Sequence, residues 1–436
     1  MKKYFISGAM LAGLMSLAAC SNDEGVVADN NGAEQQFTIT LASSGDRATR
    51  AAADRTLESE AAGQSIEKVT LVVRSQDDGA DKNKVVYIHT LDNWNGTATN
   101  DDTNGHGKKL TFTIPKADKL GAGSYVVTAV GYNEDNYTLS LPNKGDVVDK
   151  NITATTPTDA EAKEVFAGEQ QFSVKDGKIK GTDASVDVTL HRQVAGAYGY
   201  FTSIPAKIGE ADVASIRMVS RSKNTVLTFG SFNSSFTTTD AKVMYMVNGS
   251  VPAGKTAKFL NGDEANVLFS AKITDWFPGG DENNDGVYDK KDTNWKKHYS
   301  GSYLKGSVFA SNFIVPFSAT QGKSTLELQL LDATGNVLYA WPVKLGTSND
   351  QIGKTGETAS ADLFGAGTAM GFAETADVFS LFRNHIYSIG IHKQDTTNPD
   401  KTEPGTDQPT DLSKIQNVVI RVNDNWEALH HMSIDE

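Results

Sequence analysis

At 436 residues the chain is longer than a single continuous core usually is, so length favours two domains of ordinary size. Hydrophobic residues make up 39% and charged residues 22%, the balance of a soluble globular protein, which excludes wholesale disorder. Lys and Arg number 41 against 54 Asp and Glu, and the net charge of −13 argues against a general nucleic-acid-binding surface.

The chain opens with Lys2 and Lys3, continues apolar over 4–19, and reaches Cys20 through Leu17-Ala18-Ala19. A positive start, a short apolar stretch and small residues before a cut read as a signal peptide over 1–19, not a membrane helix. Leu17-Ala18-Ala19-Cys20 resembles the bacterial lipobox, which implies lipid on Cys20 and an outer-membrane lipoprotein precursor. Ser21-Asn22-Asp23-Glu24 is similar to the acidic surface-export signal of Bacteroidetes lipoproteins. Cys20 is the one cysteine, so the body holds neither a disulfide nor a thiolate metal site and must rely on apolar cores.

A polar tether over 23–35 leads to Phe37-Thr38-Ile39-Thr40-Leu41, whose strict alternation predicts a half-buried strand. The following stretch, 43–64, has no period and carries Arg47, Arg50 and Arg55 among small residues, an exposed loop open to proteolysis. Strand-like runs rich in β-branched and aromatic residues then recur at 69–73, 85–90, 110–114, 125–132 and 186–190. The one stretch with helical character is 159–167. A second series begins near residue 194: 197–203, 214–220, 242–248, 265–273, 307–317, 325–331, 337–345 and 385–392. Asp332-Ala333-Thr334-Gly335-Asn336 has the chemistry of a tight hairpin turn within it. The fold expected is all-β, two antiparallel β-sandwich domains in tandem over 56–193 and 194–394.

Residues 395–411 lack any large apolar side chain and predict an extended linker. A last alternating run, 415–422, follows, then Trp426. A terminal strand this apolar needs a groove to lie in.

The sharpest chemical motif is Asp281-Glu282-Asn283-Asn284-Asp285-Gly286-Val287-Tyr288-Asp289-Lys290-Lys291-Asp292. Asp281, Asn283, Asp285, Asp289 and Asp292 stand where a Ca²⁺ loop needs oxygen ligands, Gly286 where it turns sharply, and Val287 where it offers a carbonyl. The spacing resembles a dockerin-like or EF-hand loop and predicts structural Ca²⁺. Gly249-Ser250-Val251-Pro252-Ala253-Gly254-Lys255-Thr256 fits the phosphate-loop pattern, but no helix is expected after it, so it reads as a turn. The eight histidines show no zinc spacing, and no Gly-x-Ser-x-Gly elbow is present, so nothing points to an enzyme.

Taken in order, the lipobox at Cys20, the early strand, the arginine-bearing loop, the break at Leu190-His191-Arg192-Gln193-Val194-Ala195 and the terminal run with Trp426-Glu427 resemble the Bacteroidales fimbrillins. The tail is most similar to type V pilus stalk subunits of the short-fimbria kind. The resemblance implies transthyretin-like Greek-key sandwiches and a pilus subunit that assembles by strand exchange. It further implies that an arginine-specific protease would cut a propeptide, 20–55, after Arg50, Arg55 or Arg47, and that a strand carrying Phe37, Ile39 and Leu41 would depart. A donor strand within 412–436 of the next copy, carrying Val418, Ile420, Val422 and Trp426, takes its place. Copies would join head to tail in a filament, with anchor and tip subunits at its ends, on the cell surface. The competing readings are a surface glycan-binding lipoprotein, with Trp94, Trp276, Trp295 and Trp341 available for stacking, and a fimbrial tip adhesin.

Overall fold

The alternating runs form strands because their β-branched and aromatic side chains pack on a pleated, half-buried surface. The computed structural model describes residues 34–41, 66–101, 106–133, 137–148, 152–156, 162–179, 185–229, 249–299, 302–345, 377–381, 383, 386–392, 400–401, 407–414 and 418–423. The protein is all-β, as expected; the described helical pieces are single turns such as Trp94–Thr97 and Ile273–Trp276, each burying its tryptophan.

A nine-stranded sheet gathers the first part of the chain in the order Val85–Leu91, Lys68–Ser75, Gly123–Tyr132, Phe166–Lys175, Ser185–Arg192, Gln36–Leu41, His106–Thr113 and Thr99–Asp101, with Lys178–Ile179 beside Phe166–Lys175. A ten-stranded sheet takes the rest: Ala257–Lys258, Glu264–Lys272, Ser215–Ser220, Leu326–Leu331, Val337–Leu345, Val418–Asn423, Ile386–Ile389, Ala195–Thr202 and Ser307–Ile314, with Thr410–Asp411 beside Ala195–Thr202. The chain passes from one sheet to the other between Arg192 and Ala195. The sheets are not purely antiparallel: Gln36–Leu41 and Val418–Asn423 each run parallel to one neighbour, and Ile386–Ile389 runs parallel to Ala195–Thr202.

One apolar cluster, with Phe37, Ile39, Leu71, Trp94, Val127 and Val188, draws only on the first part of the chain, Phe37 to Leu190. The larger cluster draws Val72, Val130 and Ala154 together with Phe201, Ile216, Phe309 and Leu328, so both halves of the chain share it. A small sheet strengthens the join by pairing Ile152–Thr155 with Asn224–Phe229. Where the chain changes sheets, Arg192 and Glu164 form a fully buried ion pair, Nη2 to Oε1 2.7 Å, and Arg192 lies over the Phe166 ring. Breaking such a pair strands a charge, so it fixes the geometry of the crossing more than it adds stability.

Over the described part of the stretch expected to be helical, 162–167, no helix forms. Ala162 bridges Phe313, and Phe166 opens a ten-residue strand along Gly123–Tyr132. Tertiary pairing overrides local helix preference there. Gly168 is what allows the neighbouring strand to come so close, because a Cβ on it would lie 2.0 Å from the Thr189 carbonyl oxygen.

Candidate functional site

The N-terminal strand Gln36–Leu41 is an interior strand of its sheet. It runs parallel to Ser185–Arg192, with Phe37 opposite Val186, Ile39 opposite Val188 and Leu41 opposite Leu190. On its other side it runs antiparallel to His106–Thr113, with Phe37 opposite Phe112 and Ile39 opposite Leu110. Phe37 and Ile39 are fully buried, while Gln36 and Thr40 on alternate positions are partly exposed, as period-2 patterning requires. Thr38 is also buried, its hydroxyl 3.2 Å from that of Thr111.

Gln35, which the sequence reading left in a polar tether, is completely buried. Its amide Nε2 donates to the carbonyls of Leu120 at 2.9 Å and Gly177 at 3.2 Å, and its Oε1 accepts from the Leu120 N–H at 2.8 Å. Its own carbonyl accepts from the Ile114 N–H. No local signal marks it, since its partners are 85 and 142 residues away.

The wall formed by His106–Thr113 has holdfasts of its own. Lys108 Nζ donates to the Asn95 carbonyl and to Asn95 Oδ1, both at 3.0 Å. Phe112 stacks on His89 with ring centroids 4.4 Å apart, and His89 in turn on Tyr87. Burial pushes the His89 imidazole pKa below its ordinary value against the pull of Asp92 and Asp118, which favours the neutral ring in this stack.

The C-terminal strand Val418–Asn423 lies in an equivalent place in the second sheet. Val418, Val419 and Ile420 pair in parallel with Val343, Lys344 and Leu345; Arg421, Val422 and Asn423 pair antiparallel with Ser388, Tyr387 and Ile386. Val418 is fully buried. From Val85–Leu91 to His106–Thr113, pairings across the first sheet run antiparallel four times, parallel once and antiparallel once. From Ala257–Lys258 to Ile386–Ile389, the second sheet repeats that series. In both series the parallel step is made by a six-residue strand from one end of the chain.

The segment expected as an extended linker is partly docked. Asp400–Lys401 pairs with Tyr303–Leu304, Gln408 bridges Ile391, and Thr410–Asp411 pairs with Phe201 and Thr202. Asp407 is buried and accepts a hydrogen bond from the Tyr200 hydroxyl, which polar composition alone does not announce.

The acidic loop makes the turns its spacing predicts. Asp281 Oδ2 accepts from the Gly286 N–H, Asn283 Oδ1 from the Asp285 N–H and Asp285 Oδ1 from the Val287 N–H, and Gly286 has φ of 87°. Asp292 is buried and holds the N–H groups of Glu282 and Asp289. Lys291 Nζ lies 2.5 Å from Asp285 Oδ2 and 3.6 Å from Asp289 Oδ2. That ammonium holds the Asp285 carboxyl below its ordinary pKa. Among the described residues no three His, Cys, Asp or Glu side chains converge as a metal site. Asp281, Asn283, Asp285, Asp289, Asp292 and the Val287 backbone are therefore neighbours in one turn, with a lysine ammonium at its carboxylates.

The phosphate-loop look-alike is a strand and a turn: Gly249–Pro252 pairs with the Asn224–Phe229 strand, and Ala257–Lys258 follows without a helix. Of the four tryptophans considered for stacking, Trp94, Trp276 and Trp341 are buried, and Trp295 donates through Nε1 to the Ser307 carbonyl. Cys20, Arg47, Arg50, Arg55 and Trp426 lie outside the described residues. Among the described residues, no helix is long and apolar enough to cross a membrane.

No family model and no curated protein matches the chain. Among solved structures it is similar to the fimbrial anchor protein Mfa2 from Porphyromonas gingivalis, at 10% identity over 71% of this chain and 82% of that one, TM-score 0.34. It is similar to a fimbrial assembly protein from Parabacteroides distasonis, at 11% identity over 83% and 92%, TM-score 0.35. A candidate polysaccharide-binding protein from Bacteroides thetaiotaomicron is similar at 11% identity over 82% and 91%, TM-score 0.37. The structural neighbours are thus fimbrial anchor and assembly proteins and candidate adhesins of the Bacteroidales.

Proposed function

We propose that this chain is a structural subunit of a cell-surface fimbria that polymerises by strand exchange. The observation that carries the reading is the repeated pairing series, in which the two chain ends fill like slots with like neighbours. An arginine-specific protease acts on the loop bearing Arg47, Arg50 and Arg55, and the strand with Phe37, Ile39 and Leu41 leaves. The C-terminal strand of the next copy, with Val418, Ile420 and Val422 and with Trp426 beyond them, enters between Ser185–Arg192 and His106–Thr113. Backbone hydrogen bonds to both neighbours supply affinity, and apolar side chains on alternate residues supply fit. The contacts of Lys108 and Phe112 support a wall that stays in place when the slot empties. Repeating this head-to-tail contact gives an open filament. Lipid on Cys20 would hold the precursor at the outer membrane, and anchor and tip subunits would complete the fibre.

The test is to treat full-length protein lacking the lipid with an arginine-specific protease, sequence the new N-terminus and run the product unboiled on a denaturing gel. A cut after Arg47, Arg50 or Arg55 followed by a ladder of detergent-resistant multimers is expected. A cut product that stays monomeric overturns the reading.

We propose further that the 281–292 loop takes Ca²⁺ when Lys291, an exposed and flexible side chain, swings away from Asp285 and Asp289. Its support is the ligand spacing together with a buried Asp281 Oδ1 that has no hydrogen-bond partner.

A further inference from the structure

We infer that the pocket around Gln35 is a register lock, read in the assembled fibre by Gln416 of the incoming copy; the inference rests on the strand-exchange reading above. The pocket is specific for a primary amide. Leu120 offers both its N–H and its carbonyl, and Gly177 adds a second carbonyl, so a side chain there must accept once and donate twice. Glutamine and asparagine alone carry that set on one group, and its Leu120 side is closed to water, with Gln35 0% exposed and Leu120 6% exposed, while Gly177 is partly exposed.

Gln35 stands two residues before Phe37, both buried with Ile39, and the same spacing in sequence runs on to Leu41: Gln-x-Phe-x-Ile-x-Leu. The C-terminal segment reads Gln416-x-Val418-x-Ile420-x-Val422, the same spacing in the same direction. Direction matters, because both end strands run parallel to one neighbour and antiparallel to the other in the same order. A strand entering the slot of Gln36–Leu41 in that direction with Val418 at the place of Phe37 puts Gln416 at the place of Gln35. Apolar alternation alone does not fix this alignment, since a slip of two residues keeps the same face inward. A slipped strand would leave the buried Leu120 N–H and carbonyl without partners, which is costly, so the amide selects one register.

The experiment uses the protease-cleaved full-length chain and two synthetic peptides of residues 412–423, one wild-type and one with Gln416→Met, which keeps length and volume but removes the amide. Added before multimers form, the wild-type peptide should cap growth and shorten the ladder, and the Met peptide should need at least about tenfold more for the same effect. Equal capping by both peptides, or capping by neither while the chain still multimerises, overturns the register lock and leaves strand exchange standing. A cleaved chain that stays monomeric with no peptide present sinks the strand-exchange reading itself.

Discussion

Phe37 meets Phe172 edge to face, ring centroids 5.4 Å apart and planes at 85°, and this contact ties the N-terminal strand to a strand that is not its hydrogen-bonding neighbour. Phe172 is stacked in turn on Tyr125, so the ring of Phe37 closes a short aromatic ladder across the first sheet. Truncating Phe37 to alanine should destabilise the uncleaved precursor by about 3–5 kcal/mol, the usual loss for a fully buried aromatic ring. If the strand departs on cleavage, the same substitution should leave the stability of the assembled fibre unchanged. Denaturant unfolding of precursor and fibre, with and without Phe37→Ala, measures both; an equal loss in the two would show that the strand never leaves.

What the sequence made legible was what local pattern controls. Phe37 and Ile39 announced a buried face by alternation, and the strand Val337–Leu345 and the turn at Asp332 to Asn336 could be placed from β-branching and turn chemistry. What stayed hidden depended on distant partners. Gln35 is polar and follows a polar stretch, yet Leu120 and Gly177 bury it. The start of the strand Phe166–Lys175 falls within the 159–167 stretch that has helical character, and its strand state comes from pairing with Gly123–Tyr132, about 40 residues earlier. Asp407 sits in the 395–411 stretch whose composition predicts an extended linker, and nothing nearby foretells the Tyr200 hydroxyl, 207 residues away in sequence.

The Asp332 turn gives a pH prediction. Its carboxylate accepts from the N–H groups of Thr334 and Asn336 and from both their side chains. Those hydrogen bonds, the Thr334 hydroxyl first, lower its pKa to about 2. A folded pKa below the unfolded one means that the stabilisation is present above the unfolded value, about 3.9, and lost as pH falls through about 2. Carboxyl NMR titration should therefore show Asp332 ionised at pH 3, with the Asn336 amide losing exchange protection only below that. A midpoint near 4 would refute the assignment.

Calcium proposed for the 281–292 loop would compete with a cation the chain already carries. Lys291 must leave Asp285 and Asp289 before a metal can gather their oxygens, so Lys291→Ala should bind Ca²⁺ more tightly than wild type. At a hundredfold excess over its Kd, Ca²⁺ would add about 2.7 kcal/mol, visible as a thermal shift. Replacing Asp281 and Asp285 with alanine should abolish the shift. Calorimetry showing no calcium effect in either wild type or Lys291→Ala would remove the metal.

The last prediction concerns how the C-terminal segment is held before it is needed. The Tyr200 hydroxyl donates to Asp407 Oδ2 at 3.1 Å and accepts from the Leu304 N–H at 2.8 Å. Burial first, and then the Asp407 charge, push the phenol pKa well above its ordinary value, so it remains a donor throughout the neutral range. Three residues on, Thr410–Asp411 pairs with Phe201 and Thr202, and Leu412 is buried in the large core. Tyr200→Phe removes the donor to a buried carboxylate and should cost about 1.5–3 kcal/mol of local stability, the range for hydrogen bonds to charged groups. Hydrogen exchange at Leu412, whose N–H donates to the Thr202 carbonyl, should speed up while the Gly123–Tyr132 strand keeps its protection. Because the same segment leads to the proposed donor strand, cleaved Tyr200→Phe protein should also multimerise faster than wild type. Unchanged exchange at Leu412 would show that Tyr200 does not hold the segment, and faster exchange without faster assembly would show that release of this segment does not limit fibre growth.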